Sequence, residues 1–330
     1  MTKLQLSLAC CDYDRTQALM DGRVAVEGCE IVACALDPIE TFHRAFRYQE
    51  FDVTELSLSG YVSQVARGDN VYVAIPVFPS RLFRHAGIYV RTDRGIAAPA
   101  DLRGKTVGVP DYQITANVWI RGMLQDEYGL RPSELRWRQG GVEDPGRTDW
   151  AELNLPPDIE YQPIPHNCTL SQMLKVGGLD AMLSALAPSC FQSGAPHVGR
   201  LFPDYRAAEE AYFRRTRLFP IMHVIGIRRS IVEQHPWVAT NLYKGFVQAK
   251  RIAIQRLGQI GHLYTSLPWS VSEYEGTRAL MGEDFWPYGV AENEAVLGTF
   301  LRYHFEQGLS SRLLTPTELF VPSTGQPARL

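Results

Sequence analysis

Residues 104–123, Gly-Lys-Thr-Val-Gly-Val-Pro-Asp-Tyr-Gln-Ile-Thr-Ala-Asn-Val-Trp-Ile-Arg-Gly-Met, decide the fold. The β-branched run Thr106-Val107-Gly108-Val109 predicts a buried strand, Pro110 stops it, and Gln113 to Thr115 open a helix with Trp119 and Met123 on one face. The first N–H groups of such a helix have no intrahelical acceptor and sit at the positive end of its dipole. A carboxylate or phosphate at that point satisfies them. No glycine triplet accompanies the turn, so an ordinary βα turn of any α/β domain is the competing reading.

Working outward, the same rhythm repeats. Leu4 to Cys10 alternates as a half-buried strand, Cys11-Asp12-Tyr13-Asp14-Arg15 is a loop, and a short helix follows. A strand near Glu30 to Ala35, a helix near Ile39 to Tyr48, and a strand over residues 51–57 ending in polar residues come next, then a helix through Tyr61 and Val65. This βαβα alternation predicts a doubly wound sheet, whose ligand crevice lies at the strand ends. Residues 71–92 read as two strands. Beyond about residue 98 come the opening motif, a polar insert from Arg138 to Asp158 read as loop, a strand near Ile159 to Ile164, a helix from Thr169 to Val176, and a strand from Leu179 that delivers Ser184. Phe219 to Arg229 forms a return strand, and a long amphipathic helix covers residues 237–258. Two crossings, near 86–98 and 216–223, predict two lobes: residues 1–92, then 93–218, then a return over 219–330 with C-terminal helices.

The bulk numbers agree with a two-lobed globular protein. The chain has 330 residues, more than one core usually supports, with 45% hydrophobic and 21% charged residues. A net charge of -3 with no basic stripe excludes a nucleic-acid partner. No apolar run reaches the ~18 residues of a membrane span, and Leu4 to Cys10 is too short and polar for a signal-peptide core, so the expected location is cytoplasmic. Cys10, Cys11, Cys29, Cys34, Cys168 and Cys190 show no metal spacing and are expected to be reduced. Cys10 and Cys11 end the first strand, as packing residues or as ligand-facing thiols.

Four blocks carry a family resemblance: Phe78-Pro79-Ser80-Arg81-Leu82-Phe83-Arg84-His85, Val109-Pro110-Asp111-Tyr112-Gln113-Ile114-Thr115-Ala116-Asn117-Val118-Trp119, Phe219-Pro220-Ile221-Met222-His223 and Gly282-Glu283-Asp284-Phe285-Trp286-Pro287-Tyr288-Gly289. The chain resembles bacterial 4,5-dihydroxyphthalate decarboxylases over nearly its whole length. That resemblance implies a type II periplasmic-binding-protein-like fold, α/β, with two doubly wound mixed sheets joined by a two-segment hinge. It implies cofactor-independent decarboxylation of an aromatic dicarboxylate, 4,5-dihydroxyphthalate to protocatechuate, in a cleft between the lobes, and no organic cofactor. The alternative is a solute-binding protein of an ABC-type transporter for a small aromatic or carboxylate ligand. The partners expected are a small aromatic di-acid and, as an open option, a second copy of the chain; a membrane is not among them.

Each carboxylate of such a substrate lies para to a hydroxyl. The site therefore needs a base for the phenol, an acid for the ring carbon, and cations or N–H groups that hold the dianion. His223, between Met222 and Val224 on a crossing strand, is either a satisfied core histidine or a proton-transfer group; imidazole ordinarily titrates near neutrality. Glu55, ending an apolar strand beside Ser57 and Ser59, is the second candidate, and His85 is a third, read either as a ligand contact or as a hinge-fixing hydrogen bond. Of Arg81 and Arg84, one is expected to face the cleft as a carboxylate clamp, and the Pro79-Ser80 turn favours Arg81. Tyr112, Gln113, Thr115 and Asn117 can donate at the helix start, with Thr115 equally an N-cap; Ser57, Ser184 and Asp12 complete the predicted contacts, and Tyr13 and Asp14 share the loop of Asp12. Trp119, Trp286 and Tyr288 pack on the substrate ring or in the core. No His-x-His or His-Glu-x-x-His spacing supports a metal, and convergence of Glu55, His85 and His223 on a divalent ion is the open alternative.

Overall fold

The computed structural model describes residues 2–149 and 153–324. In chain order its strands are β1 (Leu4–Cys10), β2 (Cys29–Ala35), β3 (Val53–Ser57), β4 (Tyr72–Ile75), β5 (Ile88–Arg91), β6 (Thr106–Val109), β7 (Arg136–Gln139), β8 (Glu160–Pro163), β9 (Ala181–Leu183), β10 (Val198–Arg200) and β11 (His223–Arg228). They form two sheets, ordered β2-β1-β3-β11-β4 and β10-β5-β9-β6-β7-β8. The chain divides into two compact units to match: residues up to Arg81 with Ile221–Gly298 and the chain from Leu314, and Leu82–Pro220 with Thr299–Leu313.

In the first unit, β1 runs parallel to both β2 and β3, while β11 is antiparallel to β3 and β4. Leu6, Leu8 and Cys10 of β1 are buried, as their alternation predicts, and Val53 to Leu56 of β3 are buried throughout, as in a central strand covered on both faces. β3 passes at Ser57 into the helix Leu58–Arg67, and β1 passes through a short loop into the helix Asp14–Met20. β11 runs the opposite way, so its first residue, His223, pairs with Ser57 at the edge where β1 and β3 end.

The second unit's sheet is also mixed: β6 is parallel to β7 and β9, β7 is parallel to β8, and β5 is antiparallel to β9 and β10. Because β5 pairs there, the chain leaves the first unit at Arg81, not at residue 92, and it returns at Ile221 rather than at 219. Residues 299–313 also belong to the second unit, which the sequence does not announce. The reason is packing: Trp119 stacks obliquely on Phe300 and edge-on to Tyr303, and Arg121 Nε donates to Gln307 at 2.8 Å.

The strand Thr106–Val109 and the helix Thr115–Tyr128 form as predicted. The N-cap is Ile114, so Thr115 is the first helical residue rather than the cap. The predicted loop over 138–158 begins with the end of β7, an unread strand in which charged Arg136 and Arg138 flank Trp137, fully buried beneath them. Residues 150–152 of that loop lie outside the described residues. Gly122, within the helix Thr115–Tyr128, lies so close to Tyr303 that a Cβ would come within 2.1 Å of the ring. Gly122→Ala is accordingly expected to destabilise the protein by about 1–3 kcal/mol, read as a lowered denaturation midpoint, although alanine is the better helix former.

Candidate active site

Glu55 is the charged residue of an otherwise apolar and polar-neutral strand, and it is fully buried. In the β3–β11 register Ile225 lies opposite Glu55 and His223 opposite Ser57. Side chains alternate along strands, so Glu55, Ile225 and His223 share one face, and carboxylate and imidazole meet on the diagonal of the strand pair. His223 Nδ1 lies 2.5 Å from Glu55 Oε1. The Tyr13 hydroxyl donates to the same oxygen at 2.7 Å, and Oε2 accepts from the Cys11 backbone N–H at 2.9 Å and from the Cys10 thiol at 3.5 Å.

Burial alone pushes the Glu55 carboxyl up, but the charge and hydrogen bond of His223, with the donors Cys11 N–H and Tyr13, outweigh it and hold the carboxyl below its ordinary value. An ionised carboxylate is an acceptor only, so Nδ1 of His223 carries the hydrogen. Nε2 is left as the nitrogen that can meet a ligand, and the side chain is 15% exposed. Phe42 stands edge-on to the imidazole with centroids 4.8 Å apart. The thiols of Cys10 and Cys11 and the phenol of Tyr13 are all pushed up, first by burial and then by the Glu55 charge. Protonated thiols are poor nucleophiles, so the two cysteines act here as packing and as donors to the carboxylate.

Beyond Tyr13, the Arg15 guanidinium lies over two rings, 4.3 Å from the Tyr13 centroid and 4.1 Å from that of Trp286. Trp286 is held by its indole N–H, which donates to Phe78 O at 2.9 Å. Tyr288 is buried, and its hydroxyl has no partner among the described residues.

Of the predicted site residues, Glu55, His223 and Ser57 come together in the first unit, and Asp12 is exposed on the adjoining loop. Arg81 does not join them. It is buried and donates to Pro287 O at 2.7 Å and to Asn293 Oδ1, which ties the strand exit to the loop before the helix Glu294–Glu306; burial pushes the guanidinium down to about 9. A carboxylate clamp at Arg81 is therefore corrected to a structural role.

In the second unit, Asn117 donates to Asp111 O at 3.0 Å, and the Gln113 N–H donates to Asp111 Oδ1 at 2.9 Å. Tyr112 faces inward there, edge-on to Trp137 and Tyr161 with the Arg121 guanidinium 3.7 Å above its ring. Its hydroxyl, expected to donate to a ligand, is buried in that core. Thr115 is buried in the first turn, and Ser184 Oγ accepts from Leu186 N–H at 3.2 Å as a local turn bond. His85 is buried beside Phe202 and Tyr212, 4.0 Å from Glu209, and burial pushes it down to about 4, so it is neutral near pH 7. Arg84 lies in the field of Glu209, with burial pushing it down to about 10. Trp119 is a core residue, on Phe300 and Tyr303.

Among the described residues no three His, Cys, Asp or Glu side chains stand where they could hold one metal ion, so Glu55, His85 and His223 do not form the metal centre left open by their sequence. The residues that sequence reading passed over are Phe42 and Arg15. The first carries no chemical signal, and the second reads as half of an Asp14-Arg15 surface pair.

Two mixed α/β sheets with polar side chains gathered at strand ends define a protein of the type II periplasmic-binding-protein-like class. The periplasmic aliphatic sulphonate binding protein SsuA of Escherichia coli shares this fold, with a TM-score of 0.55 and 14% identity over 100% of this chain and 94% of that one. The family described as ABC transporter, phosphonate, periplasmic substrate-binding protein matches residues 17–144. Within this class the chain belongs to the 4,5-dihydroxyphthalate decarboxylase family, whose members are carboxy-lyases: it is 46% identical over 324 residues to the 4,5-dihydroxyphthalate decarboxylase of Comamonas testosteroni, spanning 98% of each chain. It is 47% identical over 214 residues to that of Pseudomonas putida, covering 65% of this chain and 83% of the relative. No helix among the described residues is long and apolar enough to cross a membrane.

Proposed function

We propose that the chain decarboxylates 4,5-dihydroxyphthalate to protocatechuate, with His223 as the group that moves the proton and Glu55 as the group that orients it. The observation that carries this reading is the buried Glu55–His223 pair, 2.5 Å apart, in a chain 46% identical to a decarboxylase. Binding a solute needs no such pair, whereas protonating a ring carbon does.

The reaction replaces a carboxylate with a hydrogen. As the phenol para to the leaving carboxylate gives up its proton to solvent, electron density moves through the ring to the carbon bearing that carboxylate. His223 Nε2 delivers a proton there. The carbon–carbon bond then breaks, its electron pair restores the aromatic ring, the phenol regains a proton, and carbon dioxide leaves neutral. Net, one proton is consumed, and His223 recovers it from solvent. Glu55, with four donors and a depressed pKa, does not exchange protons with substrate; it holds the Nδ1–H tautomer and stabilises the charged imidazole, much as a buried carboxylate does behind a catalytic histidine. The six cysteines are free, which fits a reducing cytoplasmic setting for this chemistry.

Tyr13→Phe removes one donor from Glu55 Oε1. It is expected to lower kcat by roughly ten- to a hundredfold, the worth of one hydrogen bond to a charged group. It also weakens the support of the ionised carboxylate, so the acid limb of the pH–rate profile moves to higher pH. The reading itself is tested by incubating the pure protein with 4,5-dihydroxyphthalate and measuring protocatechuate and carbon dioxide with and without a chelator. Equimolar products, unchanged by the chelator, are expected; tight binding without turnover would make the chain a solute-binding protein instead.

A further inference from the structure

We infer that Arg15 is the guanidinium that holds the carboxylate the substrate retains. This rests on the decarboxylase reading above and names the anchor within its site.

Arg15 is fixed on every side but one. Its Nε donates to Pro79 O at 2.6 Å, its Nη1 donates to Asp14 Oδ1 at 3.0 Å, and the same oxygen accepts from the Arg15 backbone N–H at 2.7 Å. The guanidinium carbon also lies over the rings of Tyr13 and Trp286. Its Nη2 has no partner among the described residues, and the side chain is 16% exposed. A guanidinium held by two rings, by Pro79 at Nε and by Asp14 at Nη1 offers Nη2 and the remaining hydrogen of Nη1 to a planar carboxylate. The rotamer entropy that an arginine ordinarily loses on binding an anion is already lost in this arrangement.

Tyr13 connects this fork to the proton-transfer pair. Its ring carries Arg15 on one face, and its hydroxyl donates to Glu55. The guanidinium and the Glu55–His223 pair are thus bridged by a single phenol. Arg81, the arginine that the sequence favours, is instead buried on Pro287 and Asn293.

The chemistry decides which carboxylate Arg15 takes. The leaving group departs as neutral carbon dioxide, so a cation paired with it stabilises the reactant over the transition state and slows the reaction. A cation on the neighbouring carboxylate holds the ring still through every step and opposes none of them.

The test is calorimetric binding of phthalate, a diacid lacking the hydroxyls, and of protocatechuate, which keeps only the retained carboxylate, to wild type, Arg15→Gln and Arg15→Lys. Arg15→Gln is expected to weaken both ligands by at least roughly thirtyfold, in a protein that still melts in one cooperative transition. Arg15→Lys, which keeps the charge and the fold but loses the planar fork, is expected to weaken both by roughly tenfold. Loss of phthalate binding alone would put Arg15 on the leaving carboxylate and overturn the inference, as would affinities within threefold of wild type in either variant. Wild-type turnover of 4,5-dihydroxyphthalate in the same preparation separates the two ideas. Its absence sinks the decarboxylase reading, whereas turnover with unchanged variant affinities sinks only the role of Arg15.

Discussion

Replacing His223 with glutamine is expected to lower kcat by at least roughly 10³-fold, the range that a positioned proton donor contributes, while phthalate still binds within about tenfold of wild type. The split follows from the geometry. Only the ring nitrogen turned away from Glu55 is available to a ligand, and the half-buried imidazole contributes little to holding a dianion that guanidinium and N–H donors hold better. A glutamine fills similar space on β11 and leaves the β3–β11 register unaltered, so a folded but inactive protein is the expected product. Equal losses in kcat and in phthalate affinity would instead make His223 a binding residue.

Glu55→Gln carries the second largest effect. An amide can turn its NH₂ toward Nδ1, which must then accept, so His223 is locked as the Nε2–H tautomer and loses the ionised carboxylate that stabilises its charged form; kcat is expected to fall by roughly 10³-fold. The stability consequence has a definite sign. Because the folded protein holds the Glu55 carboxyl below its ordinary value, the ionised pair stabilises the fold at neutral pH, above the unfolded carboxyl's pKa of about 4.3. That contribution disappears as pH falls through the lower, folded value. Chemical denaturation of wild type and Glu55→Gln across the acid range should therefore show a steady gap near neutrality that narrows as pH falls below about 5. A gap independent of pH would mean that Glu55 is not ionised in the folded protein.

Much of the architecture is legible before any coordinates. The strand Thr106–Val109, the stop at Pro110 and the helix that follows are local events, set by β-branching, a locked proline φ and the N-terminal helix signal. Glu55 is visible because a carboxylate within an apolar strand demands a partner. The partner itself is not visible. His223 lies 168 residues away, and the two meet only through the antiparallel register of β11 against β3. The same distance effect misleads at Arg81, whose turn looks open to a ligand until Asn293, 212 residues on, is seen to close it. β7 is hidden for a different reason. Its arginines give the segment the polarity of a loop, while the buried face is made by Trp137 and the polar Gln139. Arg15 is hidden by Asp14, since adjacent opposite charges read as an exposed pair and nothing local announces the two aromatic rings that its guanidinium lies over.

The most direct test of the claim that His223 meets the substrate through Nε2, with Glu55 behind Nδ1, is ¹⁵N NMR of histidine-labelled protein titrated with protocatechuate, with the His223 signals assigned by their absence from His223→Gln. The structure predicts a protonated Nδ1 that keeps its hydrogen throughout and an Nε2 resonance that moves with saturation. His223 signals that ignore the ligand, or an Nδ1 without a hydrogen, would contradict it.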